Sequence, residues 1–305
     1  MRATKPLDMR RISRTIRLFA GLLAIGLFVA ARPTKPQPDS PQSVHQGLRL
    51  YVMDGGSIII DAPEKFGLTR EQVKNSNMSC PVYLIVHPRG TLLFDTGLGD
   101  RYFGRPFNEN LLGDPPTPAP FQSFVLVTKT LKGQLEEIGY PPSKITYLAM
   151  SHPHVDHIGN ASDFAGSTFL VHQGDYDMMF GPDVKEVNPA YAALKKSKTK
   201  IIEGDYDLFG DGTVVLLSTP GHTPGHQSLY VKLPKTGGVL LSGDLWHYPE
   251  DLKLNSMPER EKASGMTEAS RKKVQDFTAK TGAQLWIGHD INFFSRQKHA
   301  PQYYD

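Results

Sequence analysis

From about Val44 to the C-terminus, short apolar runs alternate with turn residues. Leu48–Met53, Ser57–Asp61, Pro81–His87 and Thr91–Asp95 are rich in Val, Ile, Leu and Tyr, which pack well on a pleated surface, and they read as strands. Gly55-Gly56 and Pro88-Arg89-Gly90 separate them as turns. Phe121–Ile138 carries apolar residues at helical spacing and stops at Gly139, with Pro141 beyond, which predicts a helix. Ile145–Met150 and Phe169–His172 predict two further strands. In the second half Thr213–Ser218, Ser228–Leu233, Val239–Ser242 and the short Leu285–Ile287 are strand-like, and Thr267–Lys280 reads as a helix ending at Gly282. Strands in two batches, each followed by helices, predict two sheets packed face to face with helices outside. Arg101–Pro120, dense in Pro and Gly, reads as a long loop of the kind that often covers a site.

The pattern ahead of Val44 is different. Arg2, Lys5, Arg10, Arg11, Arg14 and Arg17 lead into the apolar run Leu18–Ala31, which ends in small residues. Basic stretch, short apolar run and small residues, in that order, form the secretory pattern. The run is shorter than the ~20 residues of a bilayer span. Residues 1–31 are therefore expected to be a signal peptide cut after about Ala31, with a retained inner-membrane anchor as the alternative. The mature protein is expected in the periplasm or outside the cell. Residues 32–47 form a linker in which Pro33, Pro36, Pro38 and Pro41 preclude helix or central strand, and 48–305 form the folded domain.

Composition narrows the chemistry. The 305 residues are 39% hydrophobic and 21% charged, which suits a packed globular domain. The net charge of +3 is in part the basic leader, and no clustered basic stretch argues for nucleic acid. A single cysteine, Cys80, excludes an internal disulfide and a thiolate-rich metal site and reads as buried and inert. With eleven histidines, imidazole is where chemistry should be sought.

Ser151-His152-Pro153-His154-Val155-Asp156-His157 follows a hydrophobic strand. On an extended or turning segment His152 and His154 point the same way and can reach one ion, while Asp156 and His157 lie further along, placed for a second. Imidazole nitrogen and carboxylate oxygen are ligands that zinc accepts. Three later strand candidates each end in a small residue and then one metal-competent side chain: Gly221-His222, Gly243-Asp244 and Gly288-His289. Any one of them is weak evidence, but three beside the histidine cluster make a pattern.

Those stretches, His-x-His-x-Asp-His, Thr-Pro-Gly-His, Ser-Gly-Asp and Gly-His-Asp, resemble the ordered motifs of the metallo-β-lactamase superfamily, and Leu93-Phe94-Asp95-Thr96-Gly97 resembles its first motif. The resemblance covers roughly residues 48–295 and implies an α+β fold, the four-layer αβ/βα sandwich, with metals at one sheet edge. It also implies two divalent ions, zinc first among them. His152, His154 and His222 would hold one; Asp156, His157 and His289 would hold the other; Asp244 would bridge them. Asp95 would support the site from behind the ligands, and His226 is read as a supporting histidine rather than a ligand.

Within the superfamily, Lys200–Tyr206, Thr219–Leu229 and Gly288–Ile291 resemble the quorum-quenching N-acyl-homoserine lactonases. Those enzymes usually carry a tyrosine shortly after the bridging aspartate; here the residues are Leu245, Trp246, His247 and Tyr248. His247 or Tyr248 takes that part, or neither does, and Asp156, His247 and Tyr248 are the candidates for proton transfer. Trp246 and Phe103 read first as ordinary core aromatics, with a place lining an acyl pocket as the second reading. The resemblance implies hydrolysis of a small-molecule lactone; the alternatives are a β-lactamase or another ester hydrolase of the same fold, or a non-catalytic metal-binding scaffold. A membrane partner is expected only if the leader is retained, and the sequence leaves self-association open.

Overall fold

The computed structural model describes residues 47–104, 107–108 and 124–305. The leader expected at 1–31, and all but Gly47 of the linker expected at 32–47, lie outside the described residues. In chain order the elements are β1 Arg49–Ile59, β2 Met78–His87, β3 Gly90–Phe94, β4 Phe107–Asn108, β5 Phe124–Leu126, α1 Leu131–Glu137, β6 Tyr147–Ala149, β7 Thr168–His172, α2 Gln173–Phe180 and β8 Thr199–Ile202. They continue with β9 Tyr206–Asp207, β10 Val214–Ser218, β11 Gln227–Leu233, β12 Gly237–Leu241, α3 Pro249–Leu254, α4 Glu259–Lys262, α5 Met266–Thr281, β13 Gln284–Trp286 and α6 Ile291–Phe294.

The strands form an eight-stranded sheet in the order β4-β5-β1-β2-β3-β6-β7-β8 and a five-stranded sheet in the order β13-β12-β11-β10-β9. Alternation along the strands builds the layers. In β2, Tyr83 and Ile85 turn into the space between the sheets, where Leu216, Leu229, Val231 and Leu241 of the second sheet meet them. Their neighbours Val82, Leu84 and Val86 face the other way, toward Leu131 and Leu135 of α1. On the far face of the second sheet Leu217 and Leu240 pack against Val274 of α5. Each sheet thus carries helices on its outer face, the four-layer α+β sandwich expected.

Strand direction then gathers one edge. β3 and β6 are parallel, so Asp95 and His152, just past their ends, emerge side by side. β12 and β13 are also parallel, and β10 runs the same way because both it and β12 are antiparallel to β11. The residues after β10, β12 and β13 therefore share an edge.

Two local expectations change. Gly55-Gly56 is not a turn: β1 runs through it as one strand with a register shift against β2 between Asp54 and Ser57. Gly56 has φ +111° and donates its N–H to Asp54 Oδ1 at 2.9 Å, and a Cβ on Gly55 would lie 2.8 Å from Gly97 Cα. The glycines serve a bulge that lets the loop after Asp95 come close. The helix expected at Phe121–Ile138 is instead β5 followed by the shorter α1, which starts where Thr130 Oγ1 accepts the Gly133 N–H at 3.1 Å. An N-cap hydroxyl and pairing with β1 outweigh helical spacing there. Phe121–Ser123, and most of the loop expected at Arg101–Pro120, lie outside the described residues. The helix expected at Thr267–Lys280 is α5, closed by Gly282 at φ +71°.

Candidate metal centre

The site forms where the loop after β6 meets the ends of β10, β12 and β13. Ser151–His157 leaves β6 as a turn held by its neighbours. Asp95 Oδ1 accepts the Ser151 N–H at 2.6 Å, and the His157 carbonyl takes the Thr96 N–H at 2.7 Å. Opposite, Gly243 has φ +56°, and a Cβ there would lie 2.6 Å from His226 Nε2, so only glycine lets the chain pass.

Three imidazoles make the first group. His154 Nδ1 lies 2.8 Å from His152 Nε2 and 2.9 Å from His222 Nε2. Burial drives the His152 and His222 imidazoles well below the usual histidine range, so both are neutral. His222 spends its one N–H at Nδ1 on Glu261 Oε1, 2.8 Å away, which leaves a lone pair on Nε2. His152 Nδ1 faces Ser151 Oγ at 3.1 Å, which leaves Nε2 turned inward as well. Nitrogen lone pairs converging on one point repel unless a cation stands among them.

A second group lies beside it. His157 donates from Nδ1 to Asp95 Oδ2 at 3.0 Å and His289 from Nδ1 to the Ser79 carbonyl at 2.7 Å, so both present Nε2. His157 Nε2 is buried and makes no hydrogen bond, although Asp244 Oδ1 is 3.2 Å and Asp156 Oδ2 3.3 Å from it. His289 Nε2 lies 3.2 Å from Asp244 Oδ1 and 3.5 Å from Asp156 Oδ2. Asp244 faces both groups: Oδ2 is 3.4 Å from His222 Nε2, 3.6 Å from His152 Nε2 and 3.3 Å from His289 Nε2, while Oδ1 is 3.2 Å from both His157 Nε2 and His289 Nε2.

The electrostatics agree with cation binding. Burial opposes a proton on His289, but Asp244 and Asp156 outweigh it and raise this imidazole to about 9. Burial likewise acts against His157, and Asp156, Asp244 and Asp95 carry it well above the usual range. In the same way burial favours the neutral Asp156 carboxyl, yet His157 and His289 hold it below the ordinary carboxylate range. The carboxylates call for positive charge at this point, and a divalent ion supplies more of it than a proton. The all-nitrogen-and-oxygen donor set suits zinc. Cys80 lies beside Asp156 and His289, with its thiol pushed up by burial.

The remaining candidates sort by where their polar atoms point. Asp95 lies behind the candidate ligands, holding the Ser151 N–H and His157 Nδ1. His226 also stands behind them: its Nδ1 faces the Thr219 carbonyl at 3.0 Å and its Nε2 accepts the Asp244 N–H at 3.0 Å, and burial lowers it to about 3. His247 is buried, with Nε2 3.6 Å from Asp244 Oδ2 and Nδ1 3.7 Å from Asp251 Oδ2. Tyr248 requires a correction, because its hydroxyl donates to the Ser76 carbonyl at 2.9 Å and its ring sits in the core edge-on to Phe66. Trp246 is a core aromatic, buried between the second sheet and α5 under the Arg271 guanidinium, and lines no acyl pocket there. Phe103 is half exposed, bridged to Val127. Glu261, Asp251 and the Ser79 carbonyl escaped the sequence reading, since nothing local marks them; Glu261 is 39 residues from the histidine it touches.

A family model described as the metallo-beta-lactamase superfamily matches residues 76–289, which include every one of these groups. The chain belongs to that superfamily. Among its relatives, the N-acyl homoserine lactonase AttM of Azorhizobium caulinodans is 27% identical over 266 residues, 85% of this chain and 99% of that protein. An N-acyl homoserine lactonase of a Bacillus species is 29% identical over 256 residues, 84% of this chain and 98% of that one. A solved structure of an N-acyl homoserine lactone hydrolase, with the product N-hexanoyl-L-homoserine at its catalytic metal center, is 28% identical. It superposes with a TM-score of 0.69 over 85% of this superfamily member and 99% of that chain.

Proposed function

We propose that this protein is a two-metal hydrolase that opens lactone rings, with N-acyl-homoserine lactones as its substrate class and zinc as its metal. The observation that carries the reading is Asp244, the carboxylate that lies against imidazole nitrogens of both groups: His222 and His152 on one side, His157 and His289 on the other. The relatives that match over nearly their whole length support the substrate class.

His152, His154 and His222 would hold one ion and Asp156, His157 and His289 the other, with Asp244 between them. When bound, such a pair supplies Lewis acidity toward a carbonyl and a water acidified enough to attack it. The chain does the rest. Glu261, Asp95 and the Ser79 carbonyl fix which ring nitrogen of His222, His157 and His289 carries the proton, so each presents a lone pair. Ring opening breaks the acyl C–O bond and leaves the ring oxygen in need of a proton. His247 Nε2 lies 3.6 Å from Asp244 Oδ2 and, carrying a proton there, would be the group that donates it. Tyr248, whose hydroxyl is committed to the Ser76 carbonyl, is given no part in this reading.

The test is a panel of acyl-homoserine lactones and β-lactams on purified, metal-loaded protein. Lactone opening that chelation abolishes and zinc restores is the expected result. Turnover of β-lactams without lactones would overturn it. The same reading takes residues 1–31 as an export signal, so N-terminal sequencing from the native host should find a mature start near Arg32 outside the cytosol. An intact start in the cytosol would refute export, and one in the membrane would mark the segment as an anchor.

A further inference from the structure

Glu261 lies on α4, between the end of β12 and α5, and has no place in any of the motifs read from the sequence. Its carboxylate and the His222 ring are both 2% exposed and meet at 2.8 Å through Oε1 and Nδ1. The other oxygen, Oε2, accepts the Thr267 hydroxyl at 3.0 Å. Thr267 belongs to the first turn of α5, and that turn is pressed onto the chain just before His222. Gly221 has φ +148°, and a Cβ there would come within 2.3 Å of Thr267 Oγ1. One turn later, Ser270 Oγ donates to the Pro220 carbonyl at 2.6 Å. The histidine, its loop and the carboxylate therefore form one assembly anchored on α5.

A carboxylate offers only acceptors, so its partner nitrogen must carry the imidazole proton. With the proton on Nδ1, the lone pair of His222 Nε2 faces His154 Nδ1 at 2.9 Å and Asp244 Oδ2 at 3.4 Å. A carboxylate behind a ligand imidazole also makes that imidazole more basic and fixes its ring plane. His247 lies close enough to join Glu261 and His222 in a three-residue cluster. Both Glu261 oxygens are already engaged, however, by His222 and Thr267, so Glu261 serves as an orienting group rather than as a ligand of its own.

We propose that Glu261 is a positioning residue that holds His222 as a ligand and sets the affinity of the metal position formed by His152, His154 and His222. This rests on the metal-binding reading above. A merely structural role, tying α4 to the loop before His222, would change the stability of the metal-free fold and leave the affinity of the folded protein alone.

Glu261→Gln separates the two. Zinc affinity is read by competition with a chromophoric chelator, fold stability by the urea midpoint of the metal-free protein, and the His222 tautomer by the imidazole nitrogen shifts in NMR. Wild type should bind two zinc ions with His222 protonated at Nδ1. Glu261→Gln should weaken one of the two by about 10- to 100-fold, disturb the His222 signal, and leave the second ion and the metal-free midpoint near wild type. Should Glu261→Gln not fold, Glu261→Asp keeps the charge but falls one methylene short of His222, and the same loss is expected. Two ions held at wild-type affinity by the folded variant would overturn the role of Glu261 while leaving the metal centre intact. A lowered midpoint with unchanged affinity would do the same, and wild type that binds no divalent ion would overturn both.

Discussion

The two sides of the metal centre are built in different ways. On the first sheet, four candidate ligands fall within His152–His157, and one carboxylate braces the whole segment: Asp95 takes both the Ser151 N–H and the His157 Nδ1 N–H, beside the bond from the Thr96 N–H to the His157 carbonyl. On the second sheet each ligand arrives alone at the end of its own strand. Each is held through a partner of its own: Glu261 for His222, His226 for the Asp244 N–H, and the Ser79 carbonyl for His289. Disturbing the first side should therefore disturb the chain path and the metal together. The second side should lose metal with less loss of fold.

The hardest blow to that comparison falls where the sides meet. Asp244→Ala removes the one carboxylate that faces both groups. Metal analysis should show fewer than the two ions of wild type, and turnover should fall by more than about 100-fold, beyond the usual cost of losing a supporting residue. Full activity on a single ion would end the two-metal reading. Asp95→Ala tests the first side by itself. It strands the buried Ser151 N–H and leaves His157 Nδ1 only the Ser151 hydroxyl at 3.1 Å, and should cost about 2–4 kcal/mol in urea unfolding as well as about 10- to 100-fold in zinc affinity. If its stability matches wild type, the contrast with Glu261 disappears.

Two smaller effects sharpen the second side. His247→Ala should slow lactone opening by at least about tenfold with both ions retained, since positioned proton donation is commonly worth about 10²–10⁴-fold. Tyr248→Phe should cost only the hydrogen bond to Ser76, about 1 kcal/mol, with turnover unchanged. Steady-state rates beside metal content decide the pair, and the reverse order would return the role to Tyr248. The last effect concerns Asp175 on α2, which clamps the loop after His222 by accepting the Gly225 N–H at 2.7 Å and the Thr223 hydroxyl at 2.9 Å. Burial raises this carboxyl to about 6. An unfolded aspartate titrates near ~3.9, so the folded chain keeps a proton that the unfolded chain has released. The stability this proton carries is complete below about pH 4 and is lost as pH rises through about 6. Asp175→Asn cannot ionise, and between pH 4 and 7 it should gain about 1–2 kcal/mol relative to wild type. Urea midpoints that run parallel across that range would count against it.

Local chemistry made part of this protein legible in its sequence alone. Apolar runs marked most of the strands, because burial on a sheet imposes its own pattern. The ligands were legible because metal chemistry restricts residue type, and because glycine must stand where the chain turns sharply at a strand end. Where two local signals conflicted, tertiary structure decided: Gly55-Gly56 became a bulge under the close approach of Gly97, and Phe124–Leu126 became a strand by pairing with β1. Tyr248 and His247 are neighbours with equal claims in the sequence. They separate only because Ser76 captures one hydroxyl while Asp244 and Asp251 flank the other ring. Glu261 carried no signal at all. A carboxylate becomes the partner of a histidine 39 residues away only when α4 and α5 fold over the loop that bears it. Contacts of that kind are made by packing, and periodicity does not encode them.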